Sequence, residues 1–340
     1  MGKIGFLFSG QGSQYIGMGK DLIEKFKSSK DVFDEADNAL DMDLTKMVTE
    51  GNQEELNLTE NTQPAVLTTS MAALRAAEEK GLKPDVVAGL SLGEYTALVA
   101  AGALAFAVAV KLVKKRGRYM QEAVPEGKGT MAAIIGLDEE KVQEAVNEAK
   151  EYGIVECANF NCPGQIVIGG EIEAVKRASA IAMEKGAKLV APLKVSAPFH
   201  TSMLKPAADR LAEELKNIDF KELNIPLISN VFADYIENKD HIKDILKNQV
   251  MKPVQWERSI QRMINDGVDT FVEIGPGKTL TGFIKKIGKK ENVKLRIVNI
   301  EDVKSLEKAV EMLSPKMNVT IRSINRLTTK KNVKIGDKAC

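Results

Sequence analysis

Few side chains in this sequence can do covalent chemistry at neutral pH, and the two best placed lie far apart in the chain. Gly89-Leu90-Ser91-Leu92-Gly93 puts one serine between two glycines, with the apolar "DVVA" before it and "EYTALVAAG" after it. That order reads as strand, tight turn and helix. In a nucleophile elbow the serine sits on such a turn in a strained backbone conformation, so its neighbours must be small and its hydroxyl stands above the sheet. The N–H groups and dipole at the start of the following helix would favour a developing negative charge. The plain alternative is a small residue in a turn; the strand-turn-helix context favours the nucleophile.

A serine hydroxyl needs a base, and histidine suits that work best at neutral pH. The chain holds two. His241 lies in "NKDHIKD", a charged stretch that reads as a solvated helix face. His200 lies in "VSAPFHTSMLKPAADR", after a proline, where an apolar strand has ended and a helix has yet to begin. Active-site loops are usually placed so, and His200 is the candidate base. Its other ring nitrogen needs an orienting partner, and either a carboxylate or a carbonyl would serve.

The elements that must position these groups alternate between strand and helix. "KIGFLF" is a short buried strand ending at the glycine-rich "SGQGSQYIGMG", and a helix follows. "PAVLTTSMAALRAAEEKG" is apolar at helical spacing and stops at Gly81. After the elbow, "AVAVKLVKKRGRYMQEAV" gives another helix. The pattern predicts an α/β fold with a mostly parallel sheet covered on both faces. Between Gly129 and Val195 the rhythm changes to βαββαβ, the ferredoxin-like unit, read as a subdomain inserted into the larger one. The expected division is 1–127 with 197–313 as a discontinuous large domain, 128–196 as the small subdomain, and 314–340 as a basic, flexible tail.

Composition narrows the function classes. With 340 residues and 44% hydrophobic content the chain can bury a sizeable core. No window reaches the apolar length of a membrane helix, and no signal-peptide order stands at the N-terminus, so a cytoplasmic, membrane-free protein is expected. Cys157, Cys162 and Cys340 show no zinc-like spacing, which predicts free thiols and no metal. The net charge of +1 hides seven Lys/Arg against Asp337 alone from Lys316 onward, so the body is slightly acidic and nucleic acid is not implied. With no strongly apolar surface stripe, a monomer is expected. A nucleotide site in "FLFSGQGSQY" would want a third glycine where Tyr15 stands, which makes it a weak rival.

Several separated motifs, in order, resemble one family, the malonyl-CoA:acyl-carrier-protein transacylases with the acyltransferase domains of fatty acid and polyketide synthases. They are "FSGQGSQYIGMG", "GLSLGEYTALVAAG", "KKRGRYMQEAVPEGKGTMAAIIG", "NFNCPGQIVIGG", "APFHTSMLKPAA", "MKPVQW" and "EIGPGKTLTGFIKK", spanning about residues 4–313. The resemblance implies an α/β-hydrolase-like large domain and transfer of malonyl from malonyl-CoA to the phosphopantetheine thiol of holo acyl carrier protein, with no cofactor. It implies Ser91 as nucleophile, His200 as base, and Gln11 with the Leu92 backbone N–H at the oxyanion hole. It also implies that Arg116 grips the malonyl carboxylate and that the Gln249 backbone carbonyl holds the histidine. A guanidinium fork suits a carboxylate in a way that the ammonium of Lys114 or Lys115 does not.

Phe199 matches the aromatic of malonyl-selective members, where bulk disfavours an alpha-methyl group. Leu90 departs from the histidine common in "GHSLGE". Because carrier proteins are acidic, a basic rim is expected, with Lys114, Lys115, Arg118, Lys285 and Lys286 as candidates. The rival enzyme readings are a serine thioesterase or esterase, which would use water as acceptor, and a polyketide-type acyltransferase. A non-catalytic carrier-docking scaffold is a rival of another class.

Overall fold

The computed structural model describes residues 2–193, 195 and 197–313; the basic stretch 314–340, with Cys340, lies outside them. In chain order the strands are β1 (Lys3–Phe8), β2 (Val86–Gly89), β3 (Gly129–Ile135), β4 (Val155–Cys162), β5 (Gln165–Glu171), β6 (Leu189–Pro192), β7 (Leu227–Ile228), β8 (Val268–Ile274) and β9 (Arg296–Ile300). The helices are α1 (Lys20–Lys25), α2 (Lys27–Leu40), α3 (Leu44–Glu50), α4 (Gln53–Leu56), α5 (Thr59–Glu79), α6 (Leu92–Ala100), α7 (Phe106–Glu122), α8 (Glu139–Ala149), α9 (Ile172–Glu184), α10 (Lys205–Lys216), α11 (Ile242–Met251), α12 (Trp256–Asn265), α13 (Thr279–Lys290) and α14 (Val303–Leu313).

Strand β1 buries every residue from Gly5 to Phe8, the mark of a strand covered on both faces, and it lies at the centre of a five-stranded sheet. The order is β7-β2-β1-β8-β9, and every pairing is parallel, as the alternating rhythm predicts. The chain grows to one side of β1 through β2 and β7, then to the other through β8 and β9. Such a reversal opens a crevice beyond the carboxyl ends of the strands, where ligands of open α/β sheets bind.

Helix α5 runs through the middle of the large core. From Thr59 to Ala77 all its residues except Glu60 and Arg75 are buried, so it is apolar around its whole circumference. The apolar spacing places its start at Pro64, but the helix begins at Thr59. Pro64 removes one backbone donor from the first turns. Side chains hold them instead: the Thr62 hydroxyl donates to Leu56 O at 2.5 Å and Asn61 Nδ2 to Glu55 O at 3.0 Å.

Residues 129–192 form the second sheet, antiparallel and in the order β4-β5-β3-β6, the ferredoxin-like arrangement. Period-two alternation sorts its side chains. Ala132, Ile134, Ile166 and Ile168 pack with α8 and α9 in a separate core, whereas Met131, Ala133 and Val167 face the large one. The antiparallel sheet is tied to the larger unit at Val254, in the loop between α11 and α12, whose N–H donates to Ala158 O at 2.9 Å and whose carbonyl accepts from Phe160 N at 2.9 Å.

Candidate active site

The turn from β2 into α6 holds Ser91 at φ 53°, ψ −101°, a conformation that L side chains rarely adopt. The flanking glycines follow from packing: a Cβ at Gly89 would overlap the Gly93 carbonyl, and one at Gly93 would overlap the Phe8 carbonyl. Asn230, on the loop after β7, braces the strained residue by accepting from Ser91 N at 2.6 Å and donating from Nδ2 to Gly89 O at 2.7 Å.

His200 is also at positive φ, 62°, and is 4% exposed. Its Nε2 lies 2.7 Å from Ser91 Oγ, and its Nδ1 lies 2.7 Å from the Gln249 backbone carbonyl. A carbonyl only accepts, so Nδ1 carries the proton and Nε2 presents its lone pair to the serine hydroxyl. Burial pushes the imidazole down to about 3, with help from the Arg116 charge, against the pull of the Gln249 carbonyl. The ring is thus neutral at neutral pH, with its free lone pair on the serine hydroxyl. The partner that the sequence left open between carboxylate and carbonyl is a carbonyl.

Arg116 projects from α7 into the same place and is 1% exposed. Its Nη1 donates to Gln63 Oε1 at 2.8 Å, and its Nη2 donates to Ser91 Oγ at 3.1 Å and Gln249 Oε1 at 2.9 Å. The guanidinium also lies 5.2 Å from the centroid of the Tyr95 ring. Burial lowers its proton affinity, but a guanidinium stays charged at neutral pH.

Gln11 sits in the turn after β1. Its side-chain amide is engaged by α5, donating to Thr59 Oγ1 at 3.3 Å. The backbone N–H groups of Gln11 and of Leu92, the first residue of α6, have no partner among the described residues. Two free donors beside Ser91 are what a developing oxyanion requires.

These groups meet a cavity of about 520 Å³. Gln11, Leu90, Ser91, Arg116, Phe199 and His200 line one wall; Met131, Ala133 and Val167 of the antiparallel sheet line the other, with Asn159, Asn161 and Gln165 as polar points. His241 lies elsewhere, in the short turn before α11, and takes no part.

The expected basic rim is reduced by the structure. Lys115 pairs with Glu214, Arg118 approaches Glu122, and the Lys114 ammonium rests against Met42 and Asn61. Lys285 is exposed on α13. Of the five only Lys286 bonds a residue lining the cavity, Gln165 Oε1 at 3.2 Å.

Sequence reasoning missed Gln63, Asn230 and Glu94. Glu94 had a signal, as the lone acid in the apolar helix "LGEYTALVA". Gln63 and Asn230 had none, because tertiary approach alone brings them to the elbow.

The chain matches the family described as acyl transferase domain over residues 5–320. It is 51% identical over 314 residues to the malonyl CoA-acyl carrier protein transacylase of Bacillus subtilis (strain 168), covering 92% of this chain and 98% of that protein. It also resembles the solved malonyl CoA-acyl carrier protein transacylase of Clostridium perfringens ATCC 13124, with a TM-score of 0.88, 46% identity, and 96% and 99% of the two chains covered. A structure of a type II PKS acyl-carrier protein in complex with its malonyl-transacylase matches at a TM-score of 0.88 and 44% identity, covering 91% of this chain and 99% of that one.

Proposed function

The chain belongs to the acyl transferase domain family, and from that membership we propose that it moves a malonyl group from malonyl-CoA to the phosphopantetheine thiol of acyl carrier protein, for fatty acid synthesis. The observation that carries the reading is one oxygen with two neighbours: Ser91 Oγ, 2.7 Å from a neutral imidazole nitrogen and 3.1 Å from a buried guanidinium nitrogen.

In the first half-reaction His200 Nε2 takes the hydroxyl proton as Ser91 Oγ attacks the thioester carbonyl. The backbone N–H groups of Gln11 and Leu92 stabilise the tetrahedral oxyanion, the carbon–sulfur bond breaks, and the imidazolium returns its proton to the departing CoA thiolate. In the second, the carrier thiol gives its proton to His200 and attacks the acyl-serine carbonyl. Ser91 leaves and recovers the proton. Ping-pong kinetics follow.

Arg116 supplies the selection. When the substrate's free carboxylate enters, the guanidinium exchanges its contact with Ser91 Oγ for that carboxylate, which fixes the acyl group and releases the nucleophile. Phe199, next to His200 in the cavity wall, and Leu90 border the acyl group. The reaction so written asks for no metal or cofactor.

Within the same reading, 1–127 with 197–313 act as the catalytic domain and 128–196 as an insert that walls the cavity. The protein works as a cytoplasmic monomer on two anionic partners, the CoA ester and the carrier. No helix among the described residues is long and apolar enough to cross a membrane.

Intact-protein mass spectrometry after mixing with malonyl-CoA, and then with holo carrier protein, tests this. A malonyl adduct on Ser91 that moves to the carrier is expected, and Ser91→Ala should take none. An adduct lost to water with the carrier untouched would mean a thioesterase.

A further inference from the structure

Glu94 is a fully buried carboxylate that the two half-reactions leave unused, yet it stands behind Ser91, His200 and Arg116. Its Oε2 accepts from Gln249 Nε2 at 2.7 Å and from Asn230 N at 3.3 Å. Gln249 in turn donates to Ser91 O at 2.9 Å, accepts from Arg116 Nη2 at 2.9 Å, and lends its backbone carbonyl to His200. Asn230 accepts from the Ser91 N–H. Two side chains thus clamp the strained serine, and Glu94 holds both.

The chemistry of the Gln249 amide makes this arrangement directional. An ionised carboxylate can only accept, and a guanidinium can only donate. With Glu94 at one end and Arg116 at the other, the amide has one orientation, nitrogen toward Glu94 and Ser91 O, oxygen toward Arg116. A neutral group at position 94 would remove that constraint. Among the described residues, Glu94 is the carboxylate that acts on the Arg116 charge, which burial would otherwise leave uncompensated.

We propose that Glu94 is a positioning residue for the transfer reaction: its ionised carboxylate fixes Gln249 and Asn230 so that Ser91, His200 and Arg116 share one geometry, and it balances Arg116 until the substrate carboxylate arrives. This rests on the reading of Ser91 as the acyl-carrying nucleophile. The groups that face Glu94 are Gln249 from α11, Ser229 and Asn230 from the loop after β7, Arg116 from α7 and the neighbouring Tyr95 phenol, which burial pushes up to about 12; of these only Arg116 is charged at neutral pH. Burial pushes the Glu94 carboxyl up to about 7, against the hydrogen bonds and the Arg116 charge. His200, held at about 3 by burial, stays unprotonated far below that pH. The two groups therefore predict acid limbs in different places.

The test is the single-turnover rate of acyl-enzyme formation against pH, with malonyl-CoA and with acetyl-CoA, in wild type, Glu94→Gln and Glu94→Asp. In wild type the rate should fall as pH drops through about 7. Glu94→Gln, nearly isosteric, should be about 10- to 100-fold slower with both substrates at pH 8, a cost typical of misplaced reacting groups, and flat down to pH 5. Glu94→Asp, which keeps the charge, should restore the acid limb.

A Glu94→Gln rate and pH profile equal to wild type would overturn the proposal. Should that variant fail to fold, Glu94→Asp decides: its shortened carboxylate cannot keep both the Gln249 and the Asn230 bond, so slower acylation with both substrates sustains the proposal, and rates equal to wild type with both overturn it. Wild-type protein that takes no adduct would sink the nucleophile reading and the Glu94 role together, whereas an adduct formed as fast in Glu94→Gln removes only the latter.

Discussion

At the carboxyl edge of the parallel sheet, Ser91 and His200 both hold positive φ angles, and Arg116, Glu94, His200 and Gln249 are all buried. Across the cavity, the antiparallel sheet of residues 129–192 has no non-glycine residue at positive φ among those described, and its buried side chains are apolar except Asn159 and Asn161. A strained non-glycine backbone costs on the order of 1–3 kcal/mol, and buried charge adds desolvation. Both are concentrated on one wall, where the core around β1, β2 and α5 is deepest. The other wall is an ordinary, unstrained unit that encloses. The contrast teaches where chemistry and stability can be separated by mutation.

The sharpest way to test that separation is to remove the proposed base. His200→Ala should slow acyl-enzyme formation by about 10²- to 10⁴-fold, the usual worth of a positioned general base, with malonyl-CoA and acetyl-CoA alike. Single-turnover mass spectrometry would read it. A loss below tenfold would place the proton acceptor elsewhere and break the assignment of chemistry to this wall.

Arg116→Ala comes next and should divide the substrates. The guanidinium's bonds to a malonyl carboxylate are charge-assisted, each contributing about 1.5–3 kcal/mol, whereas acetyl offers no such partner. The kcat/KM for malonyl-CoA should fall about 10- to 100-fold more than that for acetyl-CoA. Arg116→Lys should recover only part of the difference, since an ammonium lacks the planar fork. Equal losses for both substrates would reduce Arg116 to a partner of Gln63 and Gln249.

How far these parts were legible in the sequence depended on whether their cause was local. The elbow was legible because sterics between Gly89, Gly93 and Phe8 leave few residues that fit, and the βαββαβ unit because β3 and β5 alternate strictly between two cores. The start of α5 was not, since Pro64 masks five preceding helical residues that are held by side-chain bonds to the turn before them. Strand β7 pairs only through Leu227 and Ile228, and the chain then turns at Ser229 so that Asn230 reaches the elbow, a contact with no local signature in the sequence. The role of Gln249 came through family resemblance, and that of Glu94 only through the hydrogen bonds of the folded chain.

On the enclosing wall the expected effects change kind. Ile134 is fully buried in the separate core of the antiparallel sheet. Ile134→Ala should lower stability by about 2–5 kcal/mol, through lost burial and the void left behind, and this would be measured by denaturant unfolding. The acylation rate of the protein that remains folded should stay within about threefold of wild type. A rate loss comparable to that of Arg116→Ala would show that the two walls are mechanically coupled and that their separation is false.

The smallest effect tests the point where the walls meet. Lys286, on α13 of the large unit, donates to Gln165 on β5 of the small one, at the cavity's edge. An exposed ammonium adds about 0–1 kcal/mol to stability, so Lys286→Glu should leave unfolding unchanged. Its charge should act instead on encounter with an acidic carrier, raising the carrier's KM by about 3- to 10-fold at low ionic strength while kcat holds. Screening over a Debye length of about 8 Å at 0.15 M salt should shrink that difference. Malonyl transfer to free pantetheine, an uncharged acceptor, should be the same in both proteins. If the KM change persists with pantetheine, Lys286 shapes the cavity through Gln165, and the rim belongs to enclosure rather than to steering.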